Sequence, residues 1–115
     1  MRHMDSDEHY AFTTEQPVRY VQVANDDGVL GYLWISDPDD AAGYRPREGG
    51  GEQAYRAGVS WARHLRACKA RGLTPSQALI ELTVHAGGGR IGHVVPGSEA
   101  DAPSLAALRE QAATA

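Results

Sequence analysis

Gly87-Gly88-Gly89-Arg90-Ile91-Gly92 fits G-x-G-x-x-G, the spacing by which dinucleotide-binding folds bring backbone amides to a pyrophosphate. That chemistry needs the glycines to follow a strand and open a helix, with an acid about 20 residues on for the ribose. Here they follow a helical pattern, lead into a short strand and lack the acid, so they read as a turn. Gly49-Gly50-Gly51 does precede a helix, whose first amides could cradle an anion. Yet no Gly-Lys-Ser/Thr follows, and Glu52 already supplies the negative charge that a helix N-terminus favours. Asp37, Asp39 and Glu48 stand at positions 1, 3 and 12 of a calcium loop, but position 5 is Ala41 and the required glycine is displaced to position 7. They read as a water-exposed, aspartate-rich turn. His64 and Cys68, four apart on a helical pattern, have the spacing of a thiol with its base or of half a metal site, with His85 and His93 as unplaced further ligands. Cys68, however, falls on the apolar stripe, where a free cysteine behaves as a small inert hydrophobe. With no Gly-x-Ser-x-Gly, no His-Glu-x-x-His and no spaced carboxylate pair in an apolar setting, no enzyme class is positively indicated. No catalytic residue, metal site or cofactor is expected.

Two further constellations concern binding. Tyr20 opposite Trp34, and Gln22 opposite Tyr32, put an aromatic stripe on one face of a hairpin. That face is either a second core surface, covered by Leu105 and Leu108 of a last helix, or a contact surface, for which Tyr and Trp are well suited. The functional expectation is a non-enzymatic protein-binding or regulatory module, partner-neutralising or homodimeric. It would use Tyr20, Tyr32, Trp34 and Tyr44 together with the acidic 37–48 loop. The alternative is a nucleic-acid binder using Arg56, Arg63, Arg66 and Lys69 of the basic helix 53–71. That helix, followed by Gly72-Leu73-Thr74 and a second capped helix, has the outline of a helix-turn-helix. The outline fails further on, because Leu79 to Val84 is too apolar for a major groove and the basic residues sit on the first helix.

The elements that must position these residues begin with Val18–Ser36. Two β-branched and aromatic runs flank Asn25-Asp26-Asp27-Gly28, which predicts an antiparallel hairpin with Gly28 left-handed as the bulge. Side chains alternate. Val21, Val23, Val29, Leu33 and Ile35 are expected on an aliphatic face, and Tyr20, Gln22, Leu30, Tyr32 and Trp34 on the aromatic one. Asp37 to Gly51 reads as a loop, long enough to be mobile or functional. From 52 to 71, Ala54, Gly58, Trp61, Leu65 and Cys68 recur at helical steps and form a stripe to dock on the aliphatic face. Gly72 caps that helix. Thr74-Pro75-Ser76-Gln77 is a capping box opening a second helix to about His85. Ile80 to His85 also alternates like a strand, but the start and stop signals favour helix. Further strands are expected at 90–95 or 10–14, and a closing helix at about 103–112. The fold class is α+β: a small antiparallel sheet built on hairpin 18–36, packed against one long helix, 52–71, with two shorter helices.

At 115 residues the chain is expected to be a disordered tail, 1–9, followed by one domain, 10–115, which buries about two thirds of its unfolded surface. Cys68 is the only cysteine, so no internal disulfide forms. No signal peptide and no run of about 18 apolar residues is apparent, and a cytoplasmic location is expected. Ten arginines against one lysine, with abundant Ala and Gly, suggest a high-GC bacterial genome. The net charge of −4 is unevenly spread: residues 1–52 hold eleven acids and four arginines, and 53–71 hold five basic residues and no acid. Acidic loops folding over the basic helix would neutralise it without any partner.

Overall fold

The computed structural model describes residues 9–114, so the expected tail lies, apart from His9, outside the described residues. Among the described residues five antiparallel strands form one sheet: β1 (Val18–Asn25), β2 (Gly28–Ser36), β3 (Ala41–Pro46), β4 (His93–Val94) and β5 (Ala100–Ala102). The order is β3-β2-β1-β4, and β5 pairs with the opposite end of β1. The described residues also form three α-helices: α1 (Gly51–Ala70), α2 (Pro75–His85) and α3 (Leu105–Thr114). The α+β class and the long helix flanked by two shorter ones are as the sequence predicts.

The sheet separates two cores. Val21, Val23, Leu33 and Ile35 pack with Trp61, Leu65 and Cys68 of α1 and Ala78, Leu79 and Leu82 of α2. On the other face, Val18, Tyr20, Tyr32 and Trp34 pack with Leu105, Leu108 and Ala112 of α3. Every strand residue therefore has its side assigned by the period of two.

The hairpin keeps the expected pairs Tyr20↔Trp34 and Gln22↔Tyr32, but its bulge is elsewhere. Asn25 pairs with Gly28, Ala24 with Val29, and Val23 with Gly31, so the extra residue is Leu30 and not Gly28. An Asx turn tightens the loop, the Asp27 amide donating to Asn25 Oδ1 at 2.9 Å. Val29 and Leu30 consequently exchange faces relative to the expectation. Leu30 is buried among the α1-side aliphatics, while Val29 packs at the edge of the α3-side cluster. Burial of the larger chain in the tighter core accompanies the displaced bulge.

The loop expected over 37–51 is corrected by the structure. Its middle is β3, pairing along the outer side of β2 from Ser36↔Ala41 to Gly31↔Pro46. Ala-Ala-Gly-Tyr-Arg-Pro has little strand propensity, and pairing to a preformed edge overrides it. Pro46 is tolerated because an edge strand can leave one side of its backbone undonated. Gly43 lies against Trp34: a Cβ there would sit 2.9 Å from the indole ring, so only glycine lets the ring lie across β3. The segment 10–14 is not a strand. Ala11 alone bridges β3, donating to Asp40 O at 2.9 Å and accepting from the Ala42 amide at 3.1 Å.

Helix α1 buries Ala54, Trp61, Leu65 and Cys68 of the expected stripe, together with Ala57, while Gly58 is only half-buried. Gly58 meets the Tyr44 ring, which a Cβ would approach to 3.2 Å. The chain leaves α1 through Gly72 at φ 81°, whose amide donates to Lys69 O. Residues 75–85 are helical, not a strand, and the capping box is complete: Thr74 Oγ1 accepts from the Gln77 amide, and Gln77 Oε1 accepts from the Thr74 amide.

The acidic turn between β2 and β3 is consumed inside the molecule. Asp37 accepts from the amide and the hydroxyl of Ser76 at the start of α2, at 2.9 and 2.5 Å. Asp39 accepts from Thr14 Oγ1 at 2.5 Å, and Asp40 pairs with Lys69. These aspartates tie three separate segments to the β2–β3 corner, so the expectation that this loop serves as a free contact surface is not met at Asp37, Asp39 or Asp40. The acid-over-basic-helix contact is realised at Lys69.

Candidate partner-binding groove along the edge strand

The aromatic residues singled out by the sequence fall into two places. Tyr20, Tyr32 and Trp34 are 8, 4 and 4% exposed beneath α3, so the covered alternative holds and this face is not free. The Tyr20 and Tyr32 rings meet edge to face at 5.8 Å, and Tyr20 Oη donates to Gln111 Oε1 at 3.1 Å, tying α3 down. Tyr44 lies on the opposite face, half-buried against α1, where its hydroxyl donates to Ala54 O at 3.1 Å. Burial pushes the Tyr44 phenol well above its usual range.

Of the four basic residues, Arg56, Arg63 and Arg66 are exposed within about 80° of one another round α1, and Lys69 stands apart. Arg56 pairs with Glu52 at 3.2 Å, and Lys69 pairs with Asp40 beside the Tyr10 ring. Lys69 lies about 120° round the helix from Arg63, so the two face different sides. Arg66, about 60° round the helix from Arg63, lines the groove described next.

Cys68 is 3% exposed, and burial raises its thiol pKa, with Glu81 adding to the rise and Arg71 opposing it. His64 packs on Trp61, ring centroids 5.4 Å apart. Among the described residues no three His, Cys, Asp or Glu side chains converge as a metal site would require. The glycine-rich stretch folds on itself: Gly88 N–H donates to Gly92 O, Gly92 N–H to Gly89 O, and Trp61 Nε1 to Ile91 O at 2.9 Å. Its backbone is a pinned turn and not an open phosphate cradle. No helix among the described residues is long and apolar enough to cross a membrane.

A groove of about 570 Å³ runs along the free edge of β3. Its floor is the Ala42–Pro46 backbone. One wall comes from α1, with Tyr55, Val59, Ala62 and Arg66. The other is made by Arg45 and Trp34 with Leu105 and Arg109 of α3, and Phe12, stacked on His9 at 4.4 Å, stands at one end. Phe12, Tyr55 and Val59 are 71, 70 and 61% exposed, a cluster of large apolar side chains in water.

The edge itself is chemically unsaturated. The Ala42 amide points away from β2, to Ala11. Because antiparallel strands alternate the direction of their polar groups, Tyr44 turns its N–H and C=O the same way, into the groove. Among the described residues no strand pairs there beyond the Ala11 bridge. Such an edge is a template for another extended chain.

Of the residues nominated by sequence, Trp34, Tyr44 and Arg66 line the groove, whereas Tyr20, Tyr32, Arg56, Arg63 and Lys69 do not. Sequence reasoning missed Phe12, Tyr55, Val59, Arg45 and Arg109. The available signal was Tyr55 with Val59, four residues apart and off the buried stripe of α1. No protein-family model, curated protein or solved structure matches the chain.

Proposed function

We propose that this chain is a non-enzymatic protein-binding module that holds an extended segment of a partner protein along β3. The observation that carries it is the unpaired outer edge of β3 lying in a groove lined by exposed apolar side chains. Strand addition takes affinity from main-chain hydrogen bonds and specificity from the pockets that receive alternate side chains. The groove offers both: Tyr44 supplies the donor and acceptor, and Tyr55, Val59 and Phe12 supply apolar area. An extended peptide fits better than a second copy of the chain. The edge is walled on the two faces of the sheet by α1 and α3, a shape that suits a single extended segment.

The test is selection from a displayed library of random linear peptides against the wild type and the surface variant Val59→Asp. Enriched peptides should bind the wild type, protect the Tyr44 amide from hydrogen exchange, and lose at least about tenfold in affinity for Val59→Asp, which corresponds to about 1.4 kcal/mol. Peptides that bind both proteins equally, or leave the Tyr44 amide unprotected, would remove the groove from the reading.

A further inference from the structure

Resting on the groove reading, we infer that its partner segments alternate acidic with apolar residues. Side chains of a paired strand point alternately to the two faces of the sheet. In β3, Ala42 and Tyr44 pack on the α1 side, and Ala41 on the α3 side. A segment added to β3 therefore sends every second side chain to the α1 wall and the others to the α3 wall.

The two walls differ in chemistry. Tyr55, Val59 and Ala62 make the α1 wall apolar up to Arg66. The α3 wall carries two guanidinium groups, Arg45 and Arg109, beside Leu105. A carboxylate is the acceptor that best pairs with a guanidinium. Arg19, Arg56, Lys69 and Arg71 are each paired with a carboxylate of this chain. Among the described residues Arg45, Arg66 and Arg109 form no ion pair, and the groove contains a single carboxylate, Glu48. The charge left over in the groove is positive in a molecule whose net charge is −4. Segments with acids on the α3 side supply what this wall lacks, and their apolar residues meet the other wall.

Fluorescence anisotropy with four labelled octapeptides tests this. Three alternate valine with glutamate, with glutamine or with lysine, and the fourth is a block peptide of four valines followed by four glutamates. The alternating acidic peptide should bind at least about tenfold more tightly than the glutamine peptide, with no binding of the lysine peptide and weaker binding of the block peptide. Arg109→Gln, at an exposed position, should shrink the glutamate-to-glutamine affinity ratio severalfold, and Arg45→Gln should do so too, with the fold checked by circular dichroism. Equal binding of the glutamine peptide overturns the acidic preference while leaving the groove reading intact. Equal binding of the block peptide overturns the alternation. If none of the four binds although selected peptides do, the inference fails alone; if selected peptides also fail, the groove reading fails with it.

Discussion

Trp34 and Gly43 should show coupled, opposing effects on stability. Trp34 is 4% exposed under α3, and replacing a buried aromatic residue with alanine costs about 3–5 kcal/mol. In the wild type, Gly43→Ala forces a methyl group to within 2.9 Å of that indole, an overpacking penalty of about 1–3 kcal/mol. Once the indole is gone the obstruction is gone. Gly43 is not at positive φ, so in the Trp34→Ala background alanine at 43 should be neutral or stabilising by up to about 1 kcal/mol through the unfolded state. The double variant is thus expected to be about 1–3 kcal/mol more stable than the sum of the single changes implies. With an unfolding entropy near 2.1 cal/mol/K per residue, each kcal/mol corresponds to about 4 °C in Tm for a chain of this length. Trp34→Ala alone should therefore melt about 12–20 °C lower. The measurement is denaturant unfolding followed by far-ultraviolet circular dichroism, because indole fluorescence changes with the substitution itself. Trp34→Leu serves the same cycle if the alanine variant does not fold. Additivity within about 0.5 kcal/mol would refute the packing argument, and a Trp34→Ala protein as stable as wild type would return the aromatic face to the surface.

Two further outcomes follow from buried groups. Cys68, enclosed and raised in pKa, should not react with a thiol reagent in the native protein at pH 8 and should react at once in denaturant; rapid native labelling would show an accessible thiol. Tyr10 and Tyr44 have phenols raised above the usual value of 10.0, Tyr10 by burial first and then by Cys68, Asp40 and Asp37, and Tyr44 by burial. Because the folded state holds these protons more tightly than the unfolded one, their contribution is fully present below about pH 10 and is lost as the pH rises above it. Absorbance at 295 nm should show these phenols ionising together with unfolding, and independent ionisation of all the tyrosines in the folded protein would contradict their burial.

Sequence alone determined the elements whose signals are local. The β-branched runs about Asn25–Gly28 specify the hairpin and most of its register, the Ala54–Cys68 stripe specifies α1, and Thr74 to Gln77 start α2, because turn chemistry, periodicity and capping act over a few residues. Tertiary structure decided what depends on partners distant in the chain. Ala41–Pro46 becomes a strand only because β2 offers an edge, and Leu30 takes the bulge where burial favours it. Asp37, Asp39 and Asp40 are absorbed by Ser76, Thr14 and Lys69, contacts that no local pattern announces. Above all, α3 covers the Tyr20–Trp34 face, which moves the open surface round to the β3 edge. Alternation in a strand reveals that two faces exist and what each is made of. Which face meets solvent is fixed by the volume the other elements fill, and that is set only when the whole chain has packed.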